Sequence, residues 1–497
     1  MNDLNIILPP AAVTQTSAAV VWDKTAAEYE VFCNGEYYRT VERGDCTIEG
    51  LMPGREYVIT VTGGGACGRL TVRTRRDGGI FNISDYGAVG DGRTVNTRAI
   101  QAAIDACAED GTVLIPSGVF VSGAIYLKSD MTLRVEDGGT LLGSEDPADY
   151  PIKRYRWEGR ECDCYSSLVN VAFDSDSKFK NITIEGRGKI DASGVALFNA
   201  ERAEGRAQRG RAICIRNTDG VYYKDITVKQ SPSWCVHSIY CNGVTANNIK
   251  IYSKYDEDRS RVYPHIFNGD GFDPDSCRDV YVFGCMIASG DDCVAIKSGR
   301  DEEGRAVGLP TENVRITDCR FENGFGVAIG SEVSGGVRNV LVRDCSFTHV
   351  YSIGSVKSPR GRGNVIENVL YENCEGEYQD DEFHDCEWFR GGIYVDNFYS
   401  ILEFDPRRAE PVTDGTPKIR NVTFRNIIMK TRVSNAVWLA GLPESPLEDI
   451  TLENIVAEGP KGMKAYNIKG LKMKNVTVIT PDENKFVFEN VEEMVDA

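Results

Sequence analysis

Three aspartates set among glycines are the residues best suited to chemistry. Asp270 lies in Asn268-Gly269-Asp270-Gly271-Phe272-Asp273-Pro274-Asp275-Ser276-Cys277. Asp291 and Asp292 lie in Ser289-Gly290-Asp291-Asp292-Cys293-Val294-Ala295-Ile296-Lys297-Ser298-Gly299. Carboxylates crowded into one patch resist ionising together, so at least one keeps its proton near neutral pH. A retained proton beside an ionised carboxylate suits glycoside hydrolysis, where one acid protonates the leaving oxygen and another carboxylate activates water. Any one of these aspartates alone reads equally well as a turn cap. The cluster with its flanking glycines reads as catalytic.

Asp270 and Asp291 are 21 residues apart (291 − 270), about one short coil of a stacked β repeat, so both can emerge on adjacent rungs about 4.8 Å apart. The surrounding chain supplies such a repeat. From about residue 112 the phrase Asn/Asp-apolar-x-apolar keeps returning: NITI (181–184), DITV (225–228), NIKI (248–251), DVYV (279–282), NVRI (313–316), NVLV (339–342), NVLY (368–371), NVTF (421–424), DITL (449–452) and NVTV (475–478). Most successive copies are separated by roughly 23 to 34 residues, the range of solenoid repeats. The gaps 181–225 and 368–421 are near double, as if each held a missed coil or a long insertion. Each phrase is too short to bury its own core, and stacking makes the core continuous. Asn or Asp at a fixed point suits a tight bend before each strand. The pattern predicts an all-β fold, a parallel β-helix over residues 80–497. Ahead of it, residues 94–111 predict an amphipathic helix capped by Thr94 or Asn96, with Ile100, Ala103, Ile104 and Cys107 on one face and Gly111 ending it. Residues 1–77 predict a small β-sandwich, with alternating segments such as AAVVW (18–22) and YVITV (57–61). Asp77-Gly78-Gly79 reads as a linker.

The formal net charge of −18 and pI near 4.9 repel nucleic acid and anionic membrane, which excludes both as partners. A polyanionic substrate would need a locally basic cleft. No stretch reaches the roughly 18 to 20 apolar residues of a membrane span. The start MNDLNIILPPAAV lacks a basic n-region, so the expected compartment is the cytoplasm. Cys277, Cys285, Cys293, Cys319, Cys345 and Cys374 recur inside predicted strands, as core residues rather than disulfides. There is no Walker loop, no paired CxxC and no HExxH, and the inferred chemistry needs no metal or other cofactor.

NGDGFDPDSC, SGDDCVAIKSG and GSEVSGGVRNV (330–340) resemble the signature blocks of the polygalacturonase family, glycoside hydrolase family 28. The likeness is greatest to exo-acting bacterial members with a fibronectin type III-like domain in front, and Trp22, Tyr29 and Leu51-Met52-Pro53-Gly54-Arg55-Glu56-Tyr57 resemble that domain. The resemblance implies a right-handed parallel β-helix and hydrolysis with inversion. It implies Asp291 as general acid and Asp270 and Asp292 as holders of the water. It places Asn268 and Lys297 at the sugar, Lys297 meeting a uronate carboxylate, with Tyr399 along the cleft and Arg300, Arg305 and Glu332 in loops closing one end.

This chain departs from the family pattern twice. Gly324-Phe325-Gly326 replaces Gly-His-Gly, and Ser355-Val356-Lys357 replaces Arg-Ile-Lys, keeping only the lysine. Either His237 or His265 could replace the lost imidazole, and Arg360 or Arg362 the lost cation, whereas His349 and His384 read as ordinary turn residues. The expected activity is exo-hydrolysis releasing galacturonic acid from pectic oligosaccharides, with a neutral sugar such as rhamnose beyond the cut. A pectate-lyase-like eliminase and a non-catalytic glycan-binding β-helix are the competing readings.

Overall fold

A computed structural model describes residues 2–171, 177–205, 207–264, 266–378, 389–400 and 403–493. The repeated phrase becomes short strands, each paired in parallel with its copy one coil away, in a sheet system of 33 strands. One inward column shows why the coils stack. Ile182, Val221, Val244, Val280, Val314, Val340, Val369, Val422 and Ile450 follow one another in register, and none is more than 2% exposed. Each such side chain contributes roughly 1.5–3 kcal/mol by burial. The fold is a right-handed parallel β-helix.

The phrase does not mark one strand per coil. NITI, DVYV, NVRI, NVLV, NVLY, NVTF and DITL fall in one column, while DITV, NIKI and NVTV fall in a second. The first long gap includes a change of column and the helix Val195–Glu204. The second holds one enlarged coil, since Val365–Glu377 pairs directly with Lys418–Lys430.

The bend residues do more than turn the chain. Asn313, Asn339, Asn368 and Asn421 all have left-handed backbones, and each donates its side-chain amide to the residue one coil before, at 2.8, 3.0, 3.1 and 2.7 Å. Asn373, Asn426, Asn454 and Asn475 form a second such ladder. Asn tolerates the left-handed region because its short amide bonds locally. Asn368→Ala is therefore expected to destabilise the chain by about 1–3 kcal/mol, through two lost bonds and a strained backbone. Urea denaturation measures this, and Asn368→Gly should lose less.

The helix over the open end spans Thr97–Ala106 with Ile100, Ala103 and Ile104 buried. Asn96 stands at its N-cap, but its amide is drawn to Val89, Thr94 and Val121 instead of capping. The helix stops at Cys107, and Gly111 instead begins a stacked strand, Gly111–Ile115. The N-terminal segment forms a three-stranded and a five-stranded sheet around Trp22, Tyr29 and Ile59. It seats on the β-helix through Asp23, which pairs with Arg315 and Arg343 at 2.8 Å each, and through Val21 against Tyr222 and Phe283. All described cysteines are unpaired by disulfide, and the six named from the repeat are buried. No helix among the described residues is long and apolar enough to cross a membrane.

Candidate active site

The two aspartate blocks become neighbouring rungs. Phe272–Asp275 pairs with Val294–Ile296, and Lys297 bridges to Asp275. The Gly271 N–H donates to the Asp292 carbonyl (3.0 Å) and the Phe272 N–H to that of Cys293 (3.1 Å). Asp270 and Asp292 thus enter the ladder at one level on consecutive coils, about 4.8 Å apart along the axis. Gly271 is required, because a Cβ there would lie 2.4 Å from the Cys293 carbonyl. Ser253 joins the two loops. Its Oγ donates to the Gly269 carbonyl (2.6 Å) and accepts from the Gly290 N–H (2.8 Å).

Two buried lysines hold the acids. Lys297 Nζ lies 3.5 Å from Asp270 Oδ2, 3.8 Å from Asp273 Oδ2 and 3.2 Å from Glu332 Oε2. Lys357 Nζ lies 2.8 Å from Asp292 Oδ2. Lys297 thereby engages the Oδ2 of Asp270 and Asp273 and Lys357 that of Asp292, while Asp270 Oδ1 and Asp292 Oδ1 find no hydrogen-bond partner among the described residues. Burial opposes the Lys297 charge, but Glu332, Asp270 and Asp273 outweigh it and hold the ammonium firmly protonated. Glu332 is also desolvated, yet Lys297 and Arg362 bring its carboxyl down to about 2.

Asp291 is the least enclosed of the three. Its Oδ1 accepts the Asp292 N–H at 2.9 Å. Burial, then the Asp292 charge, push its carboxyl up to about 6, against the pull of Lys357 and Lys297. Asp270 is held well above the usual carboxylate range, by burial first and then by Asp273 and Asp291. The crowding expected of the acids is therefore present, with a proton held at Asp270 and, below about pH 6, at Asp291.

These groups open into a polar pocket of about 260 Å³, whose walls include Trp234, Asn268, Arg300, Glu332, Arg362 and Tyr399. Four cations line it (Lys297, Arg300, Lys357 and Arg362) beside five carboxylates (Glu158, Asp270, Asp291, Asp292 and Glu332), so this otherwise acidic chain gathers basic groups at the acids. A hairpin, Ile152–Trp157 with Arg160–Tyr165, brings Glu158 into its wall. Trp157 stacks on Trp234 at 4.9 Å and 21°, with the Arg211 guanidinium over both rings. Arg156 pairs with Asp275 at 2.8 Å, both fully buried. At the tip, Glu158 pairs with Arg300 at 2.8 Å. Gly159 is left-handed, and a Cβ there would lie 2.6 Å from the Arg300 nitrogen.

Most residues singled out from sequence converge here: Asn268, Asp270, Asp291, Asp292, Lys297, Arg300, Glu332, Lys357 and Tyr399 all line the pocket. Three do not. His237 is fully buried, with Trp234 edge-on over its ring at 4.9 Å. Its Nε2 is 3.4 Å from Asp275 Oδ2, and burial lowers its pKa to about 3, so it is a neutral support rather than a sugar contact. Arg305 is turned away, spanning Asp414 (3.2 Å) and the Gly361 carbonyl. Phe325 lines an adjoining aromatic cavity. Of the two proposed replacement cations, Arg362 lines the pocket while Arg360 is taken by Glu444 at 2.7 Å. His265 and His384 lie outside the described residues.

Sequence reasoning missed Asp273, Trp234 and Glu158. Asp273 carried a signal in its spacing, as the second acid of the Asn268–Cys277 block. Glu158 gave none, because the hairpin presenting it is distant in the chain.

Comparison with known proteins agrees with this geometry. Glycosyl hydrolases family 28 matches residues 112–478, well over half the chain. A probable polygalacturonase of Vitis vinifera is 30% identical over 434 residues, 84% of this chain and 79% of its own. The exo-poly-alpha-D-galacturonosidase of Dickeya chrysanthemi is 27% identical over 391 residues, 68% of this chain and 63% of that protein. The structure of the Yersinia enterocolitica family 28 exopolygalacturonase superposes with a TM-score of 0.84 over 100% of this chain and 99% of its own, a likeness of fold at 21% identity. The acids, the coil that stacks them and these matches agree, and the chain belongs to glycosyl hydrolases family 28.

Proposed function

We propose that this hydrolase is exo-acting and releases galacturonic acid from the non-reducing end of pectic oligosaccharides, with inversion. The observation that carries this reading is the Glu158–Arg300 clasp in the wall of a pocket of only about 260 Å³ that also holds the acids. One terminal sugar fits such a pocket, and a chain threading through it does not. Water held between Asp270 Oδ1 and Asp292 Oδ1 attacks the anomeric carbon as the glycosidic C–O bond breaks. Asp291 gives its proton to the departing oxygen, and Asp292, ion-paired with Lys357, takes the proton from water. Arg300, Arg362 and Lys297 offer charge-assisted contacts to the uronate carboxylate. Phe325 and Ser355, standing where a histidine and an arginine belong in the family pattern, favour a neutral sugar such as rhamnose beyond the cut.

Digestion of end-labelled pectic oligosaccharides tests the exo reading. Monosaccharide alone should appear from the first minutes, with the label kept on chains shortened one unit at a time. Early release of mid-sized fragments would overturn it. The acid assignment sets a pH dependence as well. Asp291 must be protonated to donate, so kcat/KM is expected to fall as pH rises through about 6, and initial rates across buffers read the midpoint.

A further inference from the structure

A cleft of about 450 Å³, larger than the acid pocket, lies where the N-terminal sheets meet the β-helix. The sheets contribute Arg39, Arg43 and Asp45 to its walls, and the β-helix contributes Arg187, Asp225 and Lys250. None of its lining residues lines the acid pocket. Two contacts hold the walls together across the junction. The Asn247 amide donates to Thr47 Oγ1 at 2.8 Å, and Lys224 Nζ meets Glu49 at 2.8 Å.

The charges of this cleft are sorted unevenly. Every carboxylate in its lining already has a cation: Arg43 holds Asp45 at 2.9 Å, and Lys224 holds Glu49 and Asp225 at 2.8 and 2.5 Å. Arg39, Arg187 and Lys250 have no acidic partner among the described residues, and all three are exposed. On a chain of net charge −18, three uncompensated cations on one cleft make a local field that draws anions. Arg39 is also held in place. Its guanidinium lies over the Tyr38 ring at 4.7 Å, and the Glu49 N–H donates to the Tyr38 hydroxyl at 3.0 Å. Lys250 pairs with Thr227 and Thr227 with Lys189. Arg187, just before Lys189, therefore stands two coils from Lys250, roughly 10 Å along the axis. Cations spread in this way, with a third on the facing unit, do not converge on one small anion. They match a chain carrying a carboxylate on each sugar, and Thr227 and Asn248 in the same lining offer bonds to its hydroxyls.

We infer that this cleft is a second binding site for a short oligouronate, separate from the acid pocket, with Arg39, Arg187 and Lys250 meeting its carboxylates. The assignment rests on the pectic substrate proposed above and gives the N-terminal sheets a part in holding it.

Calorimetric titration of trigalacturonate into full-length Asp291→Asn, where turnover is slowed, tests this. Two sites are expected in that protein. Adding Arg39→Ala, Arg187→Ala and Lys250→Ala should weaken one of them roughly 30-fold, about threefold for each exposed cation, and leave the other. A single site in the parent, or two unaltered sites after the three substitutions, would overturn the assignment. So would equal affinity of the cleft for fully methyl-esterified trigalacturonate, which lacks the charges, or for a short single-stranded oligonucleotide, which carries charge without uronates. In the otherwise wild-type chain the same three substitutions should leave kcat/KM for galacturonosyl fluoride unchanged, and a fall would contradict a separate site. If wild type released no galacturonate yet trigalacturonate still bound through these cations, the exo-hydrolase reading alone would fall.

Discussion

Asp291→Asn is expected to lower kcat for galacturonate release by roughly 10²–10⁴-fold, the range a positioned general acid contributes. KM and the thermal midpoint should change little. Asn keeps an oxygen able to accept the Asp292 N–H, now 2.9 Å from Asp291 Oδ1, so the loop has no reason to rearrange. With galacturonosyl fluoride the loss should be far smaller, because fluoride departs without a proton. The fall in rate above pH 6 should also vanish, since the titrating carboxyl is gone. A non-catalytic glycan binder would show no turnover to lose, and an eliminase would form an unsaturated product absorbing in the ultraviolet. An Asp291→Asn enzyme that kept its rate on the oligosaccharide would remove Asp291 from the acid's role.

Lys297→Met carries the largest expected effect on stability. Its ammonium is 5% exposed and shared by Asp270, Asp273 and Glu332. Removing one partner from buried charges typically destabilises by about 3–5 kcal/mol, because the remaining charges lose compensation. Denaturant unfolding at neutral pH reads this directly. Glu332 supplies a signed control. Its carboxyl lies at about 2 in the folded chain against an ordinary 4.5, so it adds stability present above pH 4.5 and lost as pH falls towards 2. In Lys297→Met most of that acid-side loss should disappear. A variant as stable as wild type, with the same acid profile, would contradict the network.

The acids were legible because glycine-flanked aspartates one coil apart have few structural uses, and the β-helix because its bends need Asn or Asp at fixed points. What stayed illegible came from long-range packing. The phrase Asn-apolar-x-apolar is identical in two columns, so NVLY and NVTV read alike although they build different faces. His237 was drawn towards the cleft by its neighbours in sequence, but Trp234 covers it. Arg305 follows Arg300 in the same loop, yet the helix Asp301–Val307 turns it to the far side. The hairpin that carries Glu158 into the pocket wall is more than 100 residues before the acids, with no pattern tying Glu158 to Arg300. His349, dismissed as a turn residue, is one, and its ring nevertheless faces a cavity.

In the proposed mechanism Asp291 donates a proton while water held by Asp270 and Asp292 attacks from the opposite face. Proton NMR during the first minutes of digestion of a defined α-linked galacturonate oligosaccharide tests it most directly. Inversion gives β-galacturonic acid as the first free sugar, mutarotating to the mixture afterwards. Initial release of the α anomer, or of an unsaturated uronate, would contradict it.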